Sequence, residues 1–182
     1  MDNVSQGIAF LNPERAVGYL GLAKGMVAAD FGAGAGFYTL PAARLVGDGG
    51  KVYAIDIQRS ALDLIKSKAR LEHLLNIEAV WADLELPEGS RLPARIVDIV
   101  IVSNILFQVE KKLEVLKEAY RVLKPSGKIG VVEWDEVPFP GGPPNEMRVP
   151  KRLVQSLLGQ AGFISDKEFE AGSHHYGLLY KK

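Results

Sequence analysis

The chain of 182 residues contains no cysteine. That removes disulfides, thiolate metal sites, cysteine-held iron–sulfur clusters and any cysteine nucleophile, and it suits a cytoplasmic address. An excess of charge is also missing: Lys+Arg and Asp+Glu are both 22, and no basic run exceeds the pairs Lys111-Lys112 and Lys181-Lys182. Without a long-range positive field, DNA or RNA is not expected as a partner. No apolar run approaches the roughly 20 residues that cross a bilayer, so no membrane span is expected. The acidic, polar start Met1-Asp2-Asn3 is unlike a secretory leader. What is present is 47% apolar content in a chain long enough for one domain, burying roughly 70% of its unfolded surface. The expected division is a helical segment over 1–24 and a core over 25–182, with a homo-oligomer left open.

The stretch Ala29-Asp30-Phe31-Gly32-Ala33-Gly34-Ala35-Gly36-Phe37 organises the rest. An apolar run, Met26 to Ala29, ends in an acid; glycine then recurs at every second position before a helical segment, Phe37 to Val46. This reads as strand, tight turn and helix start, where small residues admit a ligand and the first helical N–H groups have no partner inside the helix. A dinucleotide fingerprint needs its third glycine at position 37, which is Phe37, so a nicotinamide cofactor is disfavoured. Asp30 would repel a pyrophosphate and suits a ligand carrying an ammonium or sulfonium group. The next run, Lys51 to Asp56, ends in an acid 20 positions after Gly36, near the offset at which a carboxylate takes ribose hydroxyls; a helix cap is the bland alternative.

Elsewhere the pattern alternates strand and helix. Asn12-Pro13-Glu14 caps a helix to about Leu22, which either covers the cleft or pads the sheet. Leu62, Ile65, Ala69 and Leu71 to Leu75 mark an amphipathic helix over 59–73, with Lys66, Lys68 and Arg70 on its solvated side. Asn76 to Val80 is a short strand, and Ile96 to Val102 is a β-branched run without alternation, as for a central parallel strand. Leu113, Leu116, Tyr120 and Leu123 mark another helix, ended by Lys124-Pro125-Ser126-Gly127 before the strand Ile129 to Trp134. Val137 to Pro144 is an extended loop. Leu153, Leu157 and Ala161 form the stripe of a last helix, Val149 to Gln160, followed by a hairpin turning at Ala171-Gly172-Ser173. His174 and His175, adjacent on a strand, point to opposite faces without an evident third ligand, so no metal site is expected. The architecture expected is α/β: a Rossmann-like, doubly wound seven-stranded sheet, mostly parallel with one antiparallel strand in the C-terminal hairpin.

Asp30 to Gly36 resembles the first motif, (D/E)-x-G-x-G-x-G, of class I S-adenosylmethionine-dependent methyltransferases. Trp81-Ala82-Asp83-Leu84 resembles the family's third motif, and Arg121-Val122-Leu123-Lys124-Pro125-Ser126-Gly127-Lys128 resembles the R-x-L-K-P-G-G turn of its quinone-biosynthesis and related small-molecule members. The resemblance covers about 25–181 and implies S-adenosylmethionine as cofactor. Asp30, Phe31, Gly32, Ala33, Gly34, Gly36 and Phe37 would form the turn, Asp56 and Ile57 the ribose end. Asp83 and Leu84 would hold the adenine, and Ser103 and Asn104 the inner wall. Asn104 and Phe107 have the spacing of the N-P-P-(Y/F) motif of amino-group methyltransferases, but Ile105 and Leu106 replace its stiff prolines.

Transfer from a sulfonium is an in-line displacement, to which alignment can contribute roughly 7 to 11 kcal/mol. No catalytic triad is needed, and a base for the nucleophile at most. Glu133 is the nearest candidate, with an ordinary hydrogen-bonding role beside it. The expected acceptor is a small, apolar or aromatic molecule held by Phe10, Phe107, Gln108 and Trp134. The chain has no sizeable insertion for a lid, and without cysteine it is no thiolate-binding arsenite methylase. Competing readings are a non-catalytic nucleotide- or partner-binding module on the same fold and, behind it, an NAD-dependent oxidoreductase.

Overall fold

Runs of β-branched and small apolar residues become strands where both faces are covered, and here they come in the parallel order that such runs demand. The computed structural model describes residues 12–137, 139 and 141–182; Phe10 lies outside them. Its seven strands are Val27–Phe31 (β1), Lys51–Asp56 (β2), Ile77–Trp81 (β3), Val97–Ser103 (β4), Leu123–Trp134 (β5), Ile164–Glu170 (β6) and His175–Lys181 (β7), in sheet order β3-β2-β1-β4-β5-β7-β6. Strands β1 to β5 are parallel, and β7 runs antiparallel to both β5 and β6. The expected doubly wound sheet with one antiparallel strand is therefore the observed one. The chain leaves β1 towards β3 on one side and resumes at β4 on the other, so the C-terminal ends of β1 and β4 form a topological switch point, where open α/β sheets bind ligands.

Helices Pro13–Tyr19 (α1) and Thr39–Val46 (α2) cover one face, while Lys112–Val122 (α4) and Lys151–Gln160 (α5) cover the other; Arg59–Leu71 (α3) lies against β2 and β3. The Asn12 carboxamide accepts from Arg15 N at 3.0 Å, capping α1 ahead of Pro13. This helix stops at Tyr19, short of Leu22, and it pads the sheet: Ala16, Val17 and Leu20 are buried, and a Cβ on Gly130 of β5 would stand 2.2 Å from Leu20.

Three apolar patterns differ from expectation. Leu71 and Leu75 are 82% and 93% exposed, because α3 ends at Leu71 and the following residues leave its axis. In α5 the buried stripe is Val154, Leu158 and Ala161, with Leu153 at 44% exposure; the helix carries two overlapping i, i+4 apolar rows, and packing against α4 selects one. Helix α2 begins at Thr39, leaving Phe37 ahead of it and 60% exposed.

The turn after α4 is a brace. Pairing jumps from Val97↔Leu123 to Ile99↔Lys128, so residues 124–127 are looped out of the ladder. Arg121 Nε donates to Glu118 Oε2 at 2.7 Å and its Nη2 to Leu92 O at 2.6 Å. Lys124 pairs with Asp98 at 2.8 Å, and the same carboxylate accepts from Val27 N at 2.9 Å, so one network spans β5, β4 and β1.

Candidate functional site

The glycine turn closes onto β2. Gly32 N and Ala33 N donate to Ile55 O at 2.9 and 3.0 Å, and Gly34 N donates to Asp56 Oδ2 at 2.8 Å. Asp56 Oδ1 accepts from Gln58 N, also at 2.8 Å, so both carboxylate oxygens are fixed by backbone before any ligand arrives. The glycines serve different ends. A Cβ on Gly32 would meet Ile105 at 2.4 Å and one on Gly36 would meet Ile65 at 3.0 Å, so those two admit neighbouring side chains. Gly34 has φ +50 and faces space with nothing nearer than 4.0 Å; it is the one that leaves room for a ligand.

That room is a cavity of about 270 Å³ lined by Gly32, Gly34, Asp56, Ile57, Gln58, Ala82, Asp83, Leu84, Glu85, Ile105, Gln108 and Val109. A neighbouring hollow of about 390 Å³ shares Ile57, Ala82 and Asp83 and runs on past Trp81 and Arg91. Asp83 Oδ1 accepts from Glu85 N at 3.0 Å, which fixes the carboxylate at the cavity wall. The sequence reading did not assign Gln58, Ala82, Glu85, Ile105 and Val109 to the site. Ala82, Glu85 and Gln58 adjoin residues it named, whereas Ile105 and Val109 reach the wall only because β4 lies beside β1.

Other residues named from sequence lie elsewhere. Asp30 is 2% exposed and accepts from Thr39 Oγ1 at 2.6 Å beneath the turn. Burial pushes its pKa up to about 7, against the Thr39 hydrogen bond and with help from the charge of Asp56. Phe31 and Ala33 belong to the core. Gly36 and Phe37 line a different, shallow depression of about 510 Å³ with Arg44, Lys68 and Glu72. None of the described strands ends there, and Arg44 crosses it to pair with Glu14 and Glu72. The cause is the short start of α2, which turns the chain away from the strand ends after Gly36.

The other half of the strand-end surface is assembled from β4, β5 and β7. Ser103 closes β4, and Asn104 follows with φ +52, its N donating to Val132 O at 2.9 Å. The Asn104 carboxamide Nδ2 meets His175 Nε2 at 3.2 Å, while Gln108 Nε2 donates to Asn104 O at 2.7 Å. Burial, reinforced by His174 and Arg148, pulls the His175 pKa down to about 4, so its ring is neutral near pH 7. Trp134 lies on that ring at 4.1 Å between centroids, and Phe139 on His174 at 4.0 Å. Arg148, buried and overlooked in the sequence, donates to the carbonyls of Asp135, Val137, Phe139 and Pro143 and so holds the Pro/Gly-rich loop shut. An arginine just after a Pro/Gly-rich stretch was the available signal.

Glu133 is fully buried rather than open to the strand ends. Its Oε1 accepts from Leu106 N at 2.6 Å, and Oε2 is buried without a partner among the described residues. Burial pushes its pKa up to about 7, opposed by the N–H groups of Leu106, Trp134 and Ile105. It anchors the 105–107 turn. Phe107 is half-buried against the core of the α4 side. Among the described residues, no three His, Asp or Glu side chains gather as a metal site, and no helix is long and apolar enough to cross a membrane.

Comparison with known proteins gives a consistent result. Residues 22–169 match a family described as a methyltransferase domain. The chain is 34% identical over 137 residues to the ubiquinone/menaquinone biosynthesis C-methyltransferase UbiE of Escherichia fergusonii; the match takes in 74% of this chain and 53% of that protein, so the chain spans about half the length of the curated relatives it matches. Among solved structures, a SAM-dependent methyltransferase from Aquifex aeolicus is 29% identical with a TM-score of 0.86, covering 94% of this chain and 90% of that one. The [4+2]-cyclase SpnF, 17% identical over 93% of this chain and 79% of its own, shares the fold with a TM-score of 0.79.

Proposed function

The chain belongs to the class I S-adenosylmethionine-dependent methyltransferase family, and on that premise we propose that it binds this cofactor in the cavity between Gly34, Asp56 and Asp83 and methylates a small-molecule acceptor. The observation that carries the reading is the Asp56 carboxylate, held by Gly34 N and Gln58 N at the mouth of that cavity. The residues present fit the group. Each fixed oxygen of Asp56 retains lone-pair capacity for a ribose hydroxyl, Asp83, just beyond the neighbouring strand end, lines the same cavity for the adenine amino group, and Ile57 and Leu84 offer apolar surface to the ring. The amino-acid end would lie over Gly32 to Gly36, with Asp30 beneath the turn and Ser103 and Asn104 at the inner wall.

When bound, S-adenosylmethionine supplies a methyl group on a sulfonium centre. The chain's own part is to align the acceptor with that methyl and keep water out, and alignment can supply roughly 7 to 11 kcal/mol. A general acid is not required. Glu133 serves the site by holding the backbone of Leu106, beside the cavity-lining Ile105, and not by meeting the acceptor.

For the acceptor, the half-buried rings of Phe107 and Trp134 and the polar wall at Gln108 support a small aromatic or apolar molecule. The name of the UbiE relative points to quinone biosynthesis and C-methylation, and it bears on this chain as a hypothesis of the same kind. A cytoplasmic setting goes with that reading. The second reading is a non-catalytic nucleotide- or partner-binding module on the same fold, since a fold does not fix an activity.

Calorimetric titration with S-adenosylmethionine, S-adenosylhomocysteine and NAD tests the cofactor: the first two should bind and NAD should not. Methyl-transfer assays against phenols, quinols and small amines, run beside tRNA and DNA oligonucleotides, then test the acceptor class; turnover confined to nucleic acid would overturn it.

A further inference from the structure

Ile57, Trp81 and Leu86 are 58%, 43% and 53% exposed, and all three line the hollow of about 390 Å³ beside the cofactor cavity. Large apolar side chains scattered singly over a surface are ordinary, but three around one hollow mark a place for a ligand. The walls are fixed. Trp81 Nε1 donates to Ile57 O at 2.9 Å, and the guanidinium carbons of Arg59 and Arg91 stand 4.0 and 5.3 Å from the Trp81 ring centre. The loop after Asp83 turns back on it: a Cβ on Gly89 would stand 2.1 Å from Asp83 O, and Ser90 N, next in the chain, donates to Glu118 Oε1 at 3.0 Å. Glu88 and Arg91 complete this loop with φ +51 and +60, a left-handed backbone that is costly away from glycine and persists where the surroundings impose it.

Asp83 lines both spaces, as do Ile57 and Ala82, so an adenine amino group held by Asp83 stands where the cofactor cavity meets the hollow. We propose that the hollow is a second subsite, which takes a neutral aromatic ring attached to the adenine amino nitrogen of an adenosyl ligand. The proposal rests on the cofactor reading above and deepens it. An amino nitrogen with one substituent keeps one N–H for Asp83, so the elongated ligand forfeits nothing there. Its ring would lie against Trp81, Leu86 and the Arg91 guanidinium, a planar cation that stacks on aromatic faces. Asp83 and Glu88 line the hollow together with Arg91, so its charge is mixed, and a neutral ring suits it better than an anion. A stack of Arg59 and Arg91 on Trp81 that served stability alone would need no hollow beside the cofactor cavity.

The test is calorimetric titration of the full chain with S-adenosylhomocysteine, its N6-benzyl derivative and its N6-benzyl-N6-methyl derivative, which has no amino hydrogen. The N6-benzyl compound should bind about tenfold more tightly than S-adenosylhomocysteine, and the doubly substituted one should lose that gain. Arg91→Gly, which suits the backbone angle, and Trp81→Leu, which keeps an apolar side chain, should each cut the gain to less than about threefold while leaving S-adenosylhomocysteine affinity within about twofold. Should Trp81→Leu fail to fold, Arg91→Gly alone decides. In the ¹⁵N-labelled protein the Trp81 indole N–H should shift saturably with the N6-benzyl compound, beyond its shift with S-adenosylhomocysteine. Equal or weaker binding of the N6-benzyl compound, an indole signal that answers both ligands alike, or a gain that survives Arg91→Gly undiminished would each overturn the proposal. So would a gain shared by the doubly substituted compound, since the ring would then enter without the amino group at Asp83. Failure of S-adenosylhomocysteine itself to bind the unaltered protein would sink the cofactor reading, an outcome distinct from the others because each of those is a ratio against that ligand.

Discussion

Asp56 and Glu133 are both carboxylates at the C-terminal ends of parallel strands, and both take backbone N–H groups, but their surroundings differ. Asp56 has each oxygen fixed by a neighbouring turn and still opens on a cavity. Glu133 has one oxygen on Leu106 N, the other unpaired, and no exposure. The contrast extends to the halves they stand in. At the ends of β2 and β3 the carboxylates of Asp56 and Asp83 are fixed by backbone N–H groups, giving a preformed cradle, although Tyr38 OH and Asn76 Oδ1 in the same half are buried without a partner among the described residues. Around β4, β5 and β7 the buried atoms Asn104 Oδ1, Glu133 Oε2 and His174 Nδ1 have no partner among the described residues. A cradle finished by the fold suits a ligand common to a family; an unfinished polar wall suits one particular to this chain.

The sharpest way to break the cofactor half is Gly34→Val. A β-branched side chain at φ +50 is strained and stands in the open part of the cavity. S-adenosylhomocysteine binding should be abolished, on the order of 4 kcal/mol or more, with native-like circular dichroism; undiminished binding by the folded variant would remove the turn from the site.

Asp30 and Glu133 sharpen the comparison through pH. Each has a folded pKa near 7, above its ordinary value of 3.8 or 4.5, so the folded state holds protons that the unfolded chain has released. Stability is therefore lost as pH rises from about 4 towards 7, by up to about 3 to 4 kcal/mol for each group. His175, held down at about 4, acts in the opposite sense, adding stability as pH rises from about 4 to 6.5. Denaturant titrations at several pH values should show the falling component removed in Asp30→Asn and in Glu133→Gln. An unchanged pH profile in either variant would mean that its carboxyl is ionised in the folded protein.

A smaller effect separates the two carboxylates directly. Asp56→Ala should weaken S-adenosylhomocysteine binding by about 1.5 to 3 kcal/mol, whereas Glu133→Gln should change it by less than about 0.5 kcal/mol. Equal losses by calorimetry would erase the distinction. Least of all, Leu75→Ser at 93% exposure should alter stability by no more than about 0.5 kcal/mol, despite the apolar spacing that put this residue on a buried face.

Much of this was legible because it is local. Asn12-Pro13 marks a cap, Lys51 to Asp56 is bounded as a strand at both ends, and the alternation of strands with helices fixes the doubly wound order. The cofactor half shares that locality: Gly32, Gly34, Asp56, Ile57, Asp83 and Leu84 line the cavity as a turn and two strand ends would predict. What sequence could not give depends on contacts far apart in the chain. Asn104 and His175 are 71 positions apart, Arg148 finds its carbonyls only after the loop has folded back, and Val154 or Leu153 is chosen by α4. Phe37 and Asp30 do not line that cavity, for a related reason: a motif specifies residue types, while the start of α2 decides where each one points.

The central claim is that the cofactor lies over Gly34 and Asp56. The most direct measurement is the change in backbone amide shifts on titrating the ¹⁵N-labelled protein with S-adenosylhomocysteine. The largest shifts should fall at Gly32, Gly34, Ile57, Gln58 and the run Asp83 to Glu85. Shifts centred instead on Phe37, Arg44 and Lys68, around the larger depression, or no shifts at all, would contradict it.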